Sequence, residues 1–288
     1  MKIMNFLKEH IVLMDGAMGT MIAKKGLSLN NGPEVYNFTN EKIIRSIHEE
    51  YIEAGANIIL TNTFGANNIR LKNINYSNEE VIKKAIKIAN EARGKRENVF
   101  IALDIGPTGV GVKPSGKLNF NEVYDTYKSQ VIIAEKERVD LIFIETILDI
   151  EEAKIAIKAA KENSSLPIFC SFTLKSEGNT FDGRRAEEAA LELYNEGIQG
   201  VGINCSPGPK DIYKLVNRIV NSVSCPVIVK PNLRVYDGKE KNRFYEQENH
   251  EFAKEMKLCV EVGAKIIGGC CGSTPNYIKA IKGEIEKK

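Results

Sequence analysis

"EKIIRSIHEEYIEAGANIILTNT", residues 41–63, holds the pattern that decides the fold. Residues 41–55 alternate apolar and charged side chains at helical spacing. Gly55 then stands where a left-handed residue closes a helix. Residues 57–63 follow as a short β-branched run of strand length. The same unit recurs along the chain. Strand-like runs are "IVLMDG" (11–16), "NIILTNT" (57–63), "VFIALDIG" (99–106), "LIFIET" (141–146), "PIFCSFTL" (167–174), "GVGINCS" (200–206), "PVIVKPNL" (226–233) and "AKIIGGCC" (264–271). Helix-like segments lie between them at 41–55, 79–93, 120–137, 149–163, 184–196, 209–221 and 248–262, and one more follows the last run at 274–285. Gly197 and Gly263 repeat the position of Gly55.

Continuous apolar strands alternating with helices predict a parallel sheet covered by helices. Eight such units predict a single-domain (β/α)8 TIM barrel spanning residues 1–288. An open doubly wound sheet would have fewer strands and a G-x-G-x-x-G after the first; here the first strand leads into "DGAMGT".

Composition narrows the function. A net charge of +2, with 27% charged residues, offers no surface for tracking nucleic acid and no polybasic membrane patch. No run is long and apolar enough to span a bilayer. The N-terminal "MKIMNFLKEHIVLMDG" lacks the features of a signal peptide, so a cytoplasmic protein is expected. In that compartment thiols stay reduced, and the six cysteines read as core residues or metal ligands rather than a disulfide framework.

In a TIM barrel the chemistry sits at the C-terminal ends of the strands. The runs end there in Asp15-Gly16, in Thr61-Asn62-Thr63, in "DIGPTG" with Asp104, in Glu145-Thr146, in Asn204-Cys205, in Lys230-Pro231-Asn232 and in Cys270-Cys271. Cys170, Cys225 and Cys259 lack that placement and are expected in the core. His10, His48 and His250 show no ligand spacing and are expected on the surface. Cys205, Cys270 and Cys271 converge on the mouth from two strand ends. Three thiolates with an open fourth position suit catalytic zinc. Adjacent residues of a regular strand point to opposite faces, so both Cys270 and Cys271 reach one metal only past the strand's end, where Gly268, Gly269 and Gly272 permit a turn. A buried reduced pair and a strained vicinal disulfide are the other readings of the spacing. Lys230 reads either as a Schiff-base lysine or as a salt-bridged one. Asp104 reads either as a support for the "GPTG" loop or as a contact to substrate.

"MDGAMGT", "TNTFGAN", "DIGPTG", "GINCSPGP", "KPN" and "GGCCGSTP", in this order, resemble the homocysteine S-methyltransferase family, on the side of the homocysteine-binding barrel of cobalamin-dependent methionine synthases. The resemblance runs from about residue 8 to residue 285. It implies Zn2+ on Cys205, Cys270 and Cys271, with Asn232 giving the metal an oxygen before substrate arrives. It also implies that Glu145 and Asp15 hold the amino group of L-homocysteine, that amides around Asp15 and Gly16 meet its carboxylate, and that Thr61, Asn62 and Thr63 line the pocket. The chemistry is consistent with this: a free thiol with pKa ~8.5 is mostly protonated at neutral pH, and coordination deprotonates it.

The methyl donor is the open question. No histidine stands in a D-x-H-x-x-G cobalamin signature and the sequence ends after its eighth helix, so no tightly bound cobalamin is expected in this chain. A separate methylcorrinoid protein docking at the mouth is the preferred donor, with the loops "KSEGNTFDG" and "RVYDGKEKNRFYEQ" shaping the contact. S-methylmethionine, S-adenosylmethionine or betaine is the alternative within the same chemistry. A non-catalytic zinc- and homocysteine-binding subunit and a Lys230 Schiff-base lyase complete the set.

Overall fold

The computed structural model describes residues 2–30, 32–175, 177–206, 210–236, 244–246 and 248–287. The strands are β1 (Val12–Leu13), β2 (Ile58–Leu60), β3 (Phe100–Ile105), β4 (Leu141–Ile147), β5 (Ile168–Phe172), β6 (Gly200–Asn204), β7 (Val227–Lys230), β8 (Arg234–Tyr236), β9 (Phe244–Glu246) and β10 (Ile266–Ile267). Eight of them form one parallel sheet in the order β1-β10-β7-β6-β5-β4-β3-β2. The sheet closes on itself through the parallel bridge between Met14 and Ile58. The Asn57 N–H donates to Leu13 O at 2.7 Å and the Asp15 N–H to Ile58 O at 3.0 Å. This is the predicted TIM barrel.

Period-2 alternation divides each strand between two cores. Phe100, Ala102, Leu141, Phe143, Phe169, Ile228 and Ile266 fill the inside of the barrel. Ile101, Leu103, Ile142, Ile144, Val201 and Val229 face outward against the helices. The inner register continues to Asp104 on β3, Glu145 on β4, Asn204 on β6 and Lys230 on β7. The interior thus changes from apolar to charged along each strand, which fixes the polar end as the C-terminal one.

The outer helices start and stop on local signals. Ser77 and Asn119 open the helices Asn78–Arg93 and Phe120–Glu135 with reciprocal caps to Glu80 and Glu122. Gly55 closes Glu41–Ala54 at φ +110°.

Of the elements that were not expected, two bear on the ends of the barrel. The helix Ile3–Glu9 buries Ile3, Phe6 and Leu7 in the inner core, with Phe6 tilted 5.5 Å from Phe100, and so plugs the bottom of the barrel. After β7, β8 and β9 pair antiparallel as a hairpin where a polar loop was expected. Of that loop, residues 237–243 and 247 lie outside the described residues, as do 176 in the β5 loop and 207–209 in "GINCSPGP".

His48 corrects another expectation. It is fully buried, on a helix that packs against the helices Asn78–Arg93 and Pro275–Ile285. His10 and His250 are exposed, as expected. Cys170 and Cys259 are fully buried in the outer core, and Cys225 packs against it partly exposed.

Candidate active site at the barrel mouth

A cavity of about 480 Å³ opens at the C-terminal ends of the strands, with Cys205, Cys270, Cys271, Asp15, Glu145 and Lys230 in its wall. A roomier cavity of about 720 Å³ lies at the opposite end, beside Phe6, His10 and Arg96. It contains no thiol and none of the inward-facing charges, so the chemistry belongs to the smaller one.

Cys205 follows β6 and takes φ +49°, a left-handed backbone uncommon outside glycine. That turn is held from both sides: the Cys205 N–H donates to Lys230 O at 3.1 Å, and Asn232 Nδ2 donates to Cys205 O at 3.0 Å. Asn232 Oδ1 accepts the Cys271 N–H at 3.0 Å, so one amide side chain ties the two cysteine loops together. Cys270 and Cys271 lie beyond the end of β10, and Gly272 makes the required turn at φ +92°. The Gly272 N–H donates to Thr20 Oγ1 at 3.0 Å, which joins "DGAMGT" to "GGCCGS".

The Sγ atoms of Cys205, Cys270 and Cys271 all lie within 4.8 Å of one another, and those of Cys205 and Cys271 are 3.7 Å apart. Tetrahedral Zn–S bonds of ~2.3 Å would put pairs of sulfurs ~3.8 Å apart. The donor set and its spacing therefore fit a soft divalent metal with one position open to the cavity. Within the cluster, S–H donation from Cys205 and Cys270 favours the thiolate on the exposed Cys271 and holds it well below the ordinary thiol range.

Beside the thiols sits a buried charge cluster. Lys230 Nζ donates to Glu145 Oε2 at 2.8 Å and lies 5.1 Å from the centre of the Phe143 ring. Burial alone would lower the Lys230 ammonium, but Glu145 and Asp15 outweigh it and hold it above its ordinary value. Of the two readings of this lysine, the ion pair to Glu145 shows the salt-bridged one. Asp15 Oδ2 accepts the Leu60 N–H at 2.8 Å. Burial pushes the Asp15 carboxyl up to about 7, with Lys230 opposing. Glu145 is raised by burial against the same lysine.

The expected pocket residues divide by role. Thr61 and Asn62 line the cavity, but the Thr61 hydroxyl and the Asn62 amide nitrogen are committed. Thr61 Oγ1 is 2.7 Å from Thr63 Oγ1 and accepts the Asp104 N–H at 3.1 Å; Thr63 Oγ1 donates to Asp104 O at 2.7 Å. Asn62 Nδ2 donates to Pro33 O and Asn37 Oδ1 at 2.9 and 3.0 Å. Gly16 lines the cavity, and a Cβ there would stand 2.5 Å from Ser273 Oγ and 2.8 Å from the Tyr51 hydroxyl. The Asp15 N–H is spent on barrel closure.

Three supporting residues escaped the sequence reading. At Thr146 (φ +60°) the β4–β5 pairing slips, and Asn204 supplies the missing partners: its Oδ1 accepts the Thr146 N–H at 2.9 Å and its Nδ2 donates to Thr146 Oγ1 at 2.7 Å. Ser273 Oγ donates to Cys270 O at 2.7 Å and accepts the Ala17 N–H at 3.1 Å. The Tyr51 hydroxyl donates to Ser273 O at 3.1 Å. Only the inward position of Asn204 was visible beforehand.

Relatives place this architecture. The methionine synthases of Mycobacterium leprae (strain TN) and Mycobacterium tuberculosis (strain ATCC 25618 / H37Rv) are each 25% identical, over 302 and 297 residues, covering 98% and 97% of the chain. The chain spans about a quarter of the length of these curated relatives, 25% of each. In fold it is similar to the metallated form of the homocysteine methyltransferase MmuM from Escherichia coli, with a TM-score of 0.83, 21% identity and 98% of both chains covered. Residues 12–285, from β1 to the last helix, match the Homocysteine S-methyltransferase family, and the chain belongs to that family.

Proposed function

We propose that the chain is one homocysteine-binding barrel that methylates L-homocysteine to methionine at Cys205, Cys270 and Cys271, with a methylcorrinoid on a separate protein as donor. The observation that carries this reading is the convergence of three thiols within 4.8 Å at the mouth of the cavity. These residues would hold Zn2+. When bound, the ion supplies the Lewis acidity that makes a neutral thiol a thiolate at neutral pH.

The chain's own groups do the rest. Glu145 and Asp15 offer carboxylates to the substrate ammonium, placing its sulfur toward the cysteines. Asn232 and Ser273 hold the two cysteine loops in register. Met18, Phe64, Pro107 and Leu148 make the cavity wall largely apolar, which limits water around the reacting sulfur. In the transfer, the bond from sulfur to methyl forms as the bond from methyl to its carrier breaks. The bonding pair leaves with the carrier, and the thiol proton goes to solvent.

The test is anaerobic. Zinc-loaded protein and L-homocysteine are mixed with methylcobalamin, S-methylmethionine, S-adenosylmethionine or betaine, and methionine is measured beside Cys271→Ala. Methionine formed with methylcobalamin and lost in the variant supports the proposal. Methionine formed with another donor replaces the donor and keeps the site. No methionine from any donor, at stoichiometric zinc, refutes catalysis and favours a binding subunit.

A further inference from the structure

The charge cluster holds one more carboxylate than the substrate reading uses. Asp104 continues the inward register Phe100, Ala102, Asp104 of β3 and lines the cavity. Asp15 is 3% exposed, Asp104 6% and Glu145 7%. Lys230 is the cation that resides among them, and it is bonded to Glu145. Asp15 Oδ1 and Asp104 Oδ1 are both buried without a hydrogen-bond partner among the described residues.

Two orphaned oxygens, buried on carboxylates that line one cavity, are costly unless a donor arrives to meet them. The hydroxyls nearby do not serve: those of Thr61 and Thr63 bond the Asp104 backbone, not its carboxyl. The "GPTG" loop does not use the carboxyl either. Its Thr108 N–H donates to Glu152 Oε1 at 2.7 Å, so the loop is held by the helix Ile150–Asn163. Supporting Asp104 in the loop-orienting role is therefore unnecessary. Burial, and Glu145 next, hold its carboxyl above the ordinary range, with Lys230 opposing, and a cation in the cavity would bring it down.

An alkylammonium carries three N–H donors. We propose that Asp104 is a substrate-binding residue, the third acceptor beside Asp15 and Glu145 in an anionic cage that selects thiols bearing an α-ammonium. This rests on the homocysteine reading and adds to it a specificity residue to which the resemblance gave no role. Thiols of the same chain length without the amino group leave these acceptors unpaired and bind poorly, because the buried oxygens of Asp15 and Asp104 then gain no donor.

The experiment compares L-homocysteine with 4-mercaptobutanoate, its des-amino analogue, on zinc-loaded full-length protein, by calorimetric binding and by KM and kcat. The variant is Asp104→Asn, which matches the neutral acid in size; Asp104→Ser carries the same readout should the first fail to fold. The expected result is a wild type that prefers L-homocysteine. In the variant, affinity for L-homocysteine falls about 10- to 100-fold, as for a lost hydrogen bond to a charged group. KM rises with kcat little changed, and 4-mercaptobutanoate binds as before. Equal losses for both thiols would mark a merely structural role and overturn the proposal, as would an unchanged preference for L-homocysteine. A wild type that binds neither thiol overturns the homocysteine reading and this inference with it; a wild type that binds homocysteine while the variant keeps the preference overturns the role of Asp104 alone.

Discussion

His48 makes stability fall with acidity in a way that a single substitution removes. Both ring nitrogens are buried without partners among the described residues, and burial lowers the imidazole from 6.5 to about 4. The unfolded chain therefore takes up a proton near pH 6.5 that the folded chain refuses until about pH 4. Stability from this group is full above pH 6.5 and is lost as pH falls toward 4. Integrated from pH 7.5 to 4.5, the loss is roughly 2.5 kcal/mol. The carboxyls of the protein titrate too, but groups distant from residue 48 contribute equally to wild type and variant and cancel in the difference. The assay is urea denaturation of wild type and His48→Leu at pH 7.5, 6.5, 5.5 and 4.5. The variant should be at least as stable at pH 7.5, since it replaces two orphaned nitrogens by carbon. It should gain on the wild type by roughly 2.5 kcal/mol at pH 4.5. Parallel curves for the two proteins would refute the reasoning. The same helix carries Tyr51, whose hydroxyl donates to the Ser273 carbonyl beside the cysteines.

Further substitutions test the support of the site. Asn232→Ala removes both ties between the cysteine loops and should weaken zinc about 10- to 100-fold in competition with a chromophoric chelator, with the circular dichroism spectrum unchanged. Lys230→Met strands the buried Glu145 carboxylate and should cost about 3–5 kcal/mol in denaturant unfolding; a cost below about 1 kcal/mol would mean that the pair is not desolvated. Gly16→Ala drives a methyl group into Ser273 Oγ and the Tyr51 hydroxyl, and should lower zinc content and homocysteine binding together; normal values of both would show that the loop yields freely.

The barrel was legible because each unit announces itself within some twenty residues. In residues 41–63 a 3.6-residue period, a left-handed glycine and a β-branched run each act locally, and the structure follows them at Glu41–Ala54, Gly55 and Ile58–Leu60. The convergence of Cys205, Cys270 and Cys271 was legible too, since a closed parallel barrel brings all C-terminal strand ends to one mouth. The helix Ile3–Glu9 was not, because two turns with three apolar positions gain their stability only from the barrel end they plug.

By itself, the sequence determined the repeating unit, the closure into eight strands and the face on which polar groups gather, because these depend on periodicity and on short-range backbone preferences. Tertiary structure alone decided that His48 is entombed, that Thr63 braces the wall behind the cavity while Asn62 lines it, and that Asp104 keeps a buried oxygen unpaired among the described residues. Whether a polar side chain is spent or free depends on partners tens or hundreds of residues away, such as Ser273 for Ala17 or Asn204 for Thr146. Those partners meet only when the barrel closes.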